Sequence, residues 1–303
     1  MVSLRQLRYL DALATHLHFR KAAEAVSVSQ PALSMQIKEL EEGLGVKLIE
    51  RQPNAIRLTR EGEEVVARAR KILVDVRDLI DTAKQLSDPL TGTLRLGIIP
   101  SIAPYLLPRI LPALQTAHPG LLPTIRETLT EQLVSELLSG QLDAIIIALP
   151  YAHPALREEP LFRDRFLLAR QSGGNPETPA RRVLSEALET DRLLLLEEGH
   201  CLRDQALNYC QNLPIRATSA LGATSLSTVM QMVAAGYGIT LLPEICADVE
   251  VRDNRVALLR FDDPQPARTV GLAWRKSSPR LADFETLAAT LKAAFERDGL
   301  TMA

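Results

Sequence analysis

The chain has 303 residues and a formal charge of -2, with 46% hydrophobic and 24% charged residues, which fits about two domains with sizeable cores and excludes a disordered or fibrous protein. No apolar run approaches the roughly 18 to 20 residues that span a bilayer, and the N-terminal MVSLRQLRYLDALATH carries charges throughout and no small-residue cleavage site, so a cytoplasmic protein with no membrane partner is expected. Cys201, Cys210 and Cys246 are too few, and odd in number, for a stabilising disulfide framework.

Charge is uneven along the chain. Residues 1–60 hold nine Lys/Arg against six Asp/Glu, a surplus of three, so the remainder is acidic by five. A mildly basic head on an acidic body permits a nucleic-acid partner for the head. In LRQLRYLDALATH, Leu4, Leu7, Leu10 and Leu13 recur at helical spacing. FRKAAEAV gives a short helix, Ser27-Val28-Ser29 a tight turn, and QPALSMQIKELEEG a second helix, with Ser29 as its cap, Pro31 in its first turn and Gly43 to end it. Ala22, Ala23, Val26, Val28, Leu33, Ile37 and Leu40 supply a common apolar face. This is a helix-turn-helix pattern, and VKLIER and IRLT, joined through Gln52-Pro53-Asn54, can form a two-stranded wing. Side chains left off the apolar face, Gln30, Pro31, Ser34, Gln36 and Lys38, together with Arg51 of the wing, are the candidate contacts to double-stranded DNA.

From Thr59 to about Leu86 a charged helix follows, in which Val65, Ala69, Ile72, Val76, Leu79 and Ala83 are spaced 4, 3, 4, 3, 4. That heptad seam suits pairing with a second copy, with packing on the chain's own body as the alternative. Beyond Asp88-Pro89 strands alternate with helices: LRLGII, PYLLPRILPALQTAH, LPTIRET, EQLVSELLSG and AIIIAL, then RFLLAR, RLLLLEE, ATSLSTVMQMVAAG, GITLLP, TVGLAW and a final helix near 281 to 296. The pattern predicts two α/β lobes on a mostly parallel sheet, with ligand-sized space between them. The expected domains are residues 1–58, a winged helix-turn-helix; 59–89, a linker helix; and 90–303, a two-lobed α/β domain. In the second lobe GHCLRDQALNYC holds two cysteines nine positions apart, open to three readings: inert thiols, a metal site, or a redox switch.

HFRKAAEAVSVSQPALSMQIKELEEGLGVKLIER closely resembles the LysR-type transcriptional regulators, and the resemblance in layout covers the whole chain. GHCLRDQALNYC, with IIPSIAPYLLP, ATSLSTVMQMVAAG and GITLLP, is similar to the hydrogen-peroxide-sensing members of that family. The resemblance implies an effector domain like the periplasmic binding proteins, Cys201 as the peroxide-reactive thiol and Cys210 as its disulfide partner. It also implies a homotetramer, a dimer of dimers, that contacts RNA polymerase at promoters of antioxidant genes. Thr130 and Arg268 match the family's peroxide pocket. Ser101 stands where a threonine is common, keeping a hydroxyl but losing the methyl that restricts its rotation. Cys246 matches no family role.

Peroxide reacts with a thiolate, and an ordinary cysteine is mostly protonated at neutral pH. A first-turn position in a helix, with His200 and Arg203 nearby, would favour the thiolate of Cys201. Ser101 and Thr130 could hold peroxide, and Asp204 could orient a water or return a proton. A metal is disfavoured, because His200, Cys201 and Cys210 lack the close C-x-x-C pairing of zinc sites, and no cofactor is called for. If residues 201–210 form one helix, nine steps separate the thiols by about 13 to 14 Å along the axis. A disulfide needs Cα atoms roughly 4.4 to 6.8 Å apart, so bond and helix cannot coexist. Two rivals to a peroxide-sensing regulator are a regulator that binds a small metabolite between its lobes and, from another class, a thiol peroxidase.

Overall fold

The computed structural model describes residues 2–52, 55–84, 90–173, 179–180, 182–184, 193–210, 222–252 and 254–297. The chain divides into two compact units, residues 1–86 and 87–303.

The first unit opens with α1 (Leu4–His16), closed at its start by a capping box in which the Ser3 hydroxyl accepts from Gln6 N and the Gln6 side chain accepts from Ser3 N. Its Leu7, Leu10 and Leu13 are buried, whereas Leu4 is exposed. Then come α2 (Phe19–Ala25) and α3 (Gln30–Leu44), with Ser29 accepting from Ala32 N at 3.4 Å as the α3 cap. Gly43 does not end α3. The helix continues to Leu44 and stops at Gly45, whose left-handed φ of 72° is the usual helix terminator. Leu10, Leu13, Ala22, Ala23, Leu33, Ile37 and Leu40 form one core, with Val26 and Val28 packed against it.

The wing is an antiparallel pair, β1 (Ile49–Gln52) and β2 (Ala55–Leu58), with Ile49 opposite Leu58. Pro53 and Asn54 lie outside the described residues, as does the side chain of Arg51. A buried carboxylate ties wing to α3: Glu41 accepts from Leu48 N at 2.9 Å, Ile49 N at 3.2 Å and Lys47 Nζ at 2.7 Å. Burial pushes this carboxyl up, but the three donors outweigh it and hold it below its ordinary value.

The linker helix α4 (Arg60–Lys84) begins hard against the wing: a Cβ at Gly62 would collide with the Leu48 carbonyl oxygen. Arg70 Nε donates to Asp11 at 2.6 Å, binding α4 to α1. The heptad seam therefore divides. Ala69 is buried and Val65 packs on the core of its own unit, while Ile72 and Leu79, with Ile80 beside them, remain 44%, 69% and 49% exposed. The side chain of Ala83 lies outside the described residues.

The second unit is built on β3 (Gly92–Ile98), β4 (Leu121–Glu127), β5 (Ala144–Leu149), β6 (Leu156–Gln171), β7 (Leu195–Leu196), β8 (Gly222–Ala223), β9 (Thr240–Pro243), β10 (Val256–Arg260) and β11 (Ala267–Arg275). The largest sheet runs β10-β6-β11-β5-β3-β4, with β9 also on β6. Among the described strands β3 pairs in parallel with β4 and β5, and the short β7 with β8, whereas the ladders of β6 and β11 are antiparallel. The expectation of a mostly parallel sheet is thus corrected to a mixed one. The reason is β6, 16 residues long, which pairs with β11 in one lobe and with β9 and β10 in the other. Helices α5 (Ala103–Ala117), α6 (Thr130–Leu138), α7 (Cys201–Cys210), α8 (Leu226–Ala234), the short α9 (Ala247–Glu250) and α10 (Leu281–Arg297) belong to the same unit. The helices pack their apolar faces on a single core that includes Ile98, Ile146, Phe162, Val270, Trp274 and Phe284.

Candidate functional site

Four segments converge between the lobes. The turn after β3 brings Ser101, the start of α6 brings Thr130, β11 brings Arg268 and the start of α7 brings Cys201. Gly199, with φ of 92°, makes the bend into α7; a Cβ there would sit 3.1 Å from the Leu129 side chain, so glycine lets the cysteine segment approach the N-terminus of α6.

Arg268 organises the polar side. Its NH1 donates to Ser101 Oγ at 3.0 Å, its NH2 to the Ser101 carbonyl at 3.1 Å, and its Nε to Asp164 Oδ2 at 2.9 Å. Burial works against the guanidinium's charge, but Asp164 and the nearby sulfurs of Cys246 and Cys201 outweigh it, so Arg268 stays protonated. Burial likewise pushes the Cys201 thiol up. Arg268 and the hydroxyls of Thr130 and Ser101 pull it back down, Asp204 adds a smaller upward push, and the thiol ends above its ordinary value. Thr130 Oγ1 is buried with no partner in hydrogen-bond geometry, yet it lies close enough to Cys201 to favour the thiolate. The site thus holds a sulfur, two hydroxyls and one fixed positive charge.

The remaining expected residues fall around this centre. Arg203 turns its guanidinium to the Leu196 carbonyl at 3.1 Å, so Arg268 rather than Arg203 is the cation acting on the thiol. His200 is half-buried, and burial, opposed by Glu197, lowers its pKa and keeps it neutral near pH 7. Asp204 is exposed in the first turn of α7. Cys210 is completely buried at the far end of that helix, where burial pushes its thiol up to about 11. All three cysteines are free. Asp164 was not singled out in the sequence, and Cys246, which matches no family role, has its Sγ 3.9 Å from the Ser101 carbonyl. Among the described residues no group of three or more His, Cys, Asp and Glu could hold a metal ion, and no helix is long and apolar enough to cross a membrane.

On α3, Gln30, Pro31 and Lys38 are exposed and Ser34 and Gln36 half-exposed, all off the buried face of Leu33, Ile37 and Leu40. Gln36 donates to Glu39 at 2.6 Å and Lys38 lies 3.5 Å from Glu42. Met35 of the same helix is also exposed, at 56%.

Comparison with known proteins agrees with both halves. Residues 4–63 match the model for the bacterial regulatory helix-turn-helix protein, lysR family, and residues 87–296 that for the LysR substrate binding domain. A probable hydrogen peroxide-inducible genes activator of Streptomyces viridosporus is 43% identical over 297 residues, covering 96% of this chain and 94% of the relative. The DNA-binding transcriptional dual regulator OxyR of Escherichia coli K12 is 41% identical over 295 residues, covering 97% and 96%. Among solved structures, a hydrogen-peroxide-bound cysteine-to-serine variant of Corynebacterium glutamicum OxyR superposes with a TM-score of 0.67 at 36% identity, covering 97% of this chain and 93% of that one. The chain belongs to the LysR family of bacterial helix-turn-helix regulators.

Proposed function

We propose that the protein is a cytoplasmic transcriptional regulator of the OxyR type, which senses hydrogen peroxide at Cys201 and controls antioxidant genes through α3 and the wing. The observation that carries the reading is the convergence of Ser101, Thr130 and Arg268 on Cys201, with the Thr130 hydroxyl buried beside the sulfur and bonded to no other group. Arg268 only donates, so Ser101 Oγ accepts from it and keeps its own proton for an oxygen or sulfur on the Cys201 side. Two hydroxyls flanking a sulfur suit a molecule with two adjoining oxygens. The Cys201 thiolate attacks one peroxide oxygen, the O–O bond breaks, and the departing oxygen leaves as water once it has gained a proton. Cys201 is left as a sulfenic acid. Attack by the Cys210 thiol then forms the disulfide and releases a second water. Because α7 holds the two residues nine steps apart, that step needs the helix opened.

The solved relative named as peroxide-bound supports this ligand, and the relatives' names support the gene class. Exposed Ile72, Leu79 and Ile80 on α4 support pairing of two chains, from which a dimer of dimers contacting RNA polymerase would be built. The reading makes the protein a sensor, not an enzyme: each reduced thiol pair consumes one peroxide. The test is a footprint on promoter DNA with reduced and peroxide-treated protein, wild type beside Cys201→Ser. A footprint that changes only when Cys201 is present supports the reading. Catalytic turnover of peroxide, or a change driven by a metabolite with no peroxide, overturns it.

A further inference from the structure

Asp164 lies in the middle of β6, is 2% exposed, and is the register partner of Arg268 on β11. Opposed residues of an antiparallel pair share a face, so the two side chains meet by construction. Both carboxylate oxygens are engaged by donors: Oδ1 accepts from Ile245 N at 3.1 Å, and Oδ2 accepts from Arg268 Nε at 2.9 Å, with NH2 also 2.9 Å away. A guanidinium is planar and rigid, so fixing its Nε edge fixes the direction of its two terminal nitrogens. Those nitrogens are the ones on Ser101, and Ser101 in turn acts on Cys201.

We infer that Asp164 is a positioning residue for the thiol reaction, aiming Arg268 so that Ser101 presents its hydroxyl proton to Cys201. The inference rests on the proposed reading of Cys201, but its consequence for the thiol can be measured without peroxide. The groups acting directly on Cys201 are Arg268 from β11, Thr130 from α6, Ser101 from the turn after β3 and Asp204 from its own helix, with neutral His200 beside it. Around Arg268 stand Asp164, Cys246 and Cys201. Asp164 therefore reaches Cys201 through Arg268.

Two substitutions separate aim from charge. Asp164→Glu keeps the charge and both acceptors but lengthens the arm by one methylene. Asp164→Asn removes the charge and sets an amide donor against one of two donors, Ile245 N–H or Arg268, so one contact must break. Cys201 alkylation by iodoacetamide, followed over pH in reduced full-length protein and resolved by peptide mass, gives the thiol's midpoint. Positioning predicts a midpoint above wild type in both variants, by about one unit in Asp164→Asn, hence about tenfold slower alkylation at neutral pH. An unchanged midpoint in Asp164→Glu, or a lowered one in Asp164→Asn, overturns the inference; the latter would mean that Asp164 acts only as a charge opposing Arg268. If the asparagine variant does not fold, the glutamate variant decides alone. The peroxide reading fails separately, by rapid peroxide consumption surviving in Cys201→Ser.

Discussion

If the disulfide forms only from an opened α7, loosening the end of that helix should speed the second oxidation step and leave the first untouched. Tyr209 is the residue to remove, because its ring meets Phe261 edge-on at 5.4 Å and clamps the turn that ends in buried Cys210. An aromatic pair of this kind and the apolar area lost with the ring together contribute about 2 kcal/mol. Alanine's better helix propensity returns about 0.5 kcal/mol, leaving a net loss near 1.5 kcal/mol. That corresponds to about a tenfold larger opening constant. In stopped-flow mixing with peroxide, Tyr209→Ala should keep the wild-type bimolecular phase, assigned to Cys201, and accelerate the later unimolecular phase about tenfold. Hydrogen exchange at amides 202–210 in the reduced variant should rise in the same proportion. Faster exchange with an unchanged second phase would refute the claim that opening precedes bond formation.

Because burial leaves the Cys201 thiol above its ordinary value, the bimolecular rate should keep rising with pH from 6 through 9, as the thiolate fraction grows; a plateau already reached below pH 7 would contradict that environment. Glu41 has a depressed folded pKa, so its stabilisation is full above its unfolded value and is lost as pH falls through the folded one. Glu41→Gln should therefore lower the melting temperature of the N-terminal unit at pH 7 and narrow its difference from wild type toward pH 3, as followed by calorimetry. Replacing Ile72 with Asp puts a charge on the exposed apolar strip of α4 and should reduce the mass measured by light scattering, with DNA binding weakened to single half-sites. Native mass in that variant would assign the strip another task.

The helices of the first unit were legible from leucines and other apolar residues recurring at helical spacing, and the start of α3 also from local chemistry, with Ser29 as cap and Pro31 in the first turn. The misplaced end of α3, Gly43 for Gly45, shows the limit, since both glycines follow the same apolar run and the backbone angle distinguishes them. Strand direction was harder to read. RFLLAR and TVGLAW announce strands, but nothing local says that β6 extends back to Leu156 or that β11 returns antiparallel beside it. The site was half legible. Cys201, Ser101, Thr130 and Arg268 were candidates because of the family resemblance, and the fold brings them together, whereas Asp164 depends on a register between strands about a hundred residues apart, and Arg203 carried a suitable charge that the fold turns toward Leu196.

The shared strand β6 also bears on how the sensor recovers. Asp164 and Arg268 lie on β6 and β11, and Ser101 in the turn after β3, three strands linked through one sheet. Cys201 instead heads a ten-residue helix that follows the short β7. The sulfur of the proposed reactive thiol thus sits on a short helix of its own, whereas Asp164 and Arg268 belong to the sheet. Leu202, Ala206 and Cys210 are the pegs by which that helix sits in the core. When a disulfide pulls the pegs out, the strand registers that define the socket need not change. On the proposed reading, reduction of that bond would return the helix to a socket framed by strands that are paired with one another independently of it.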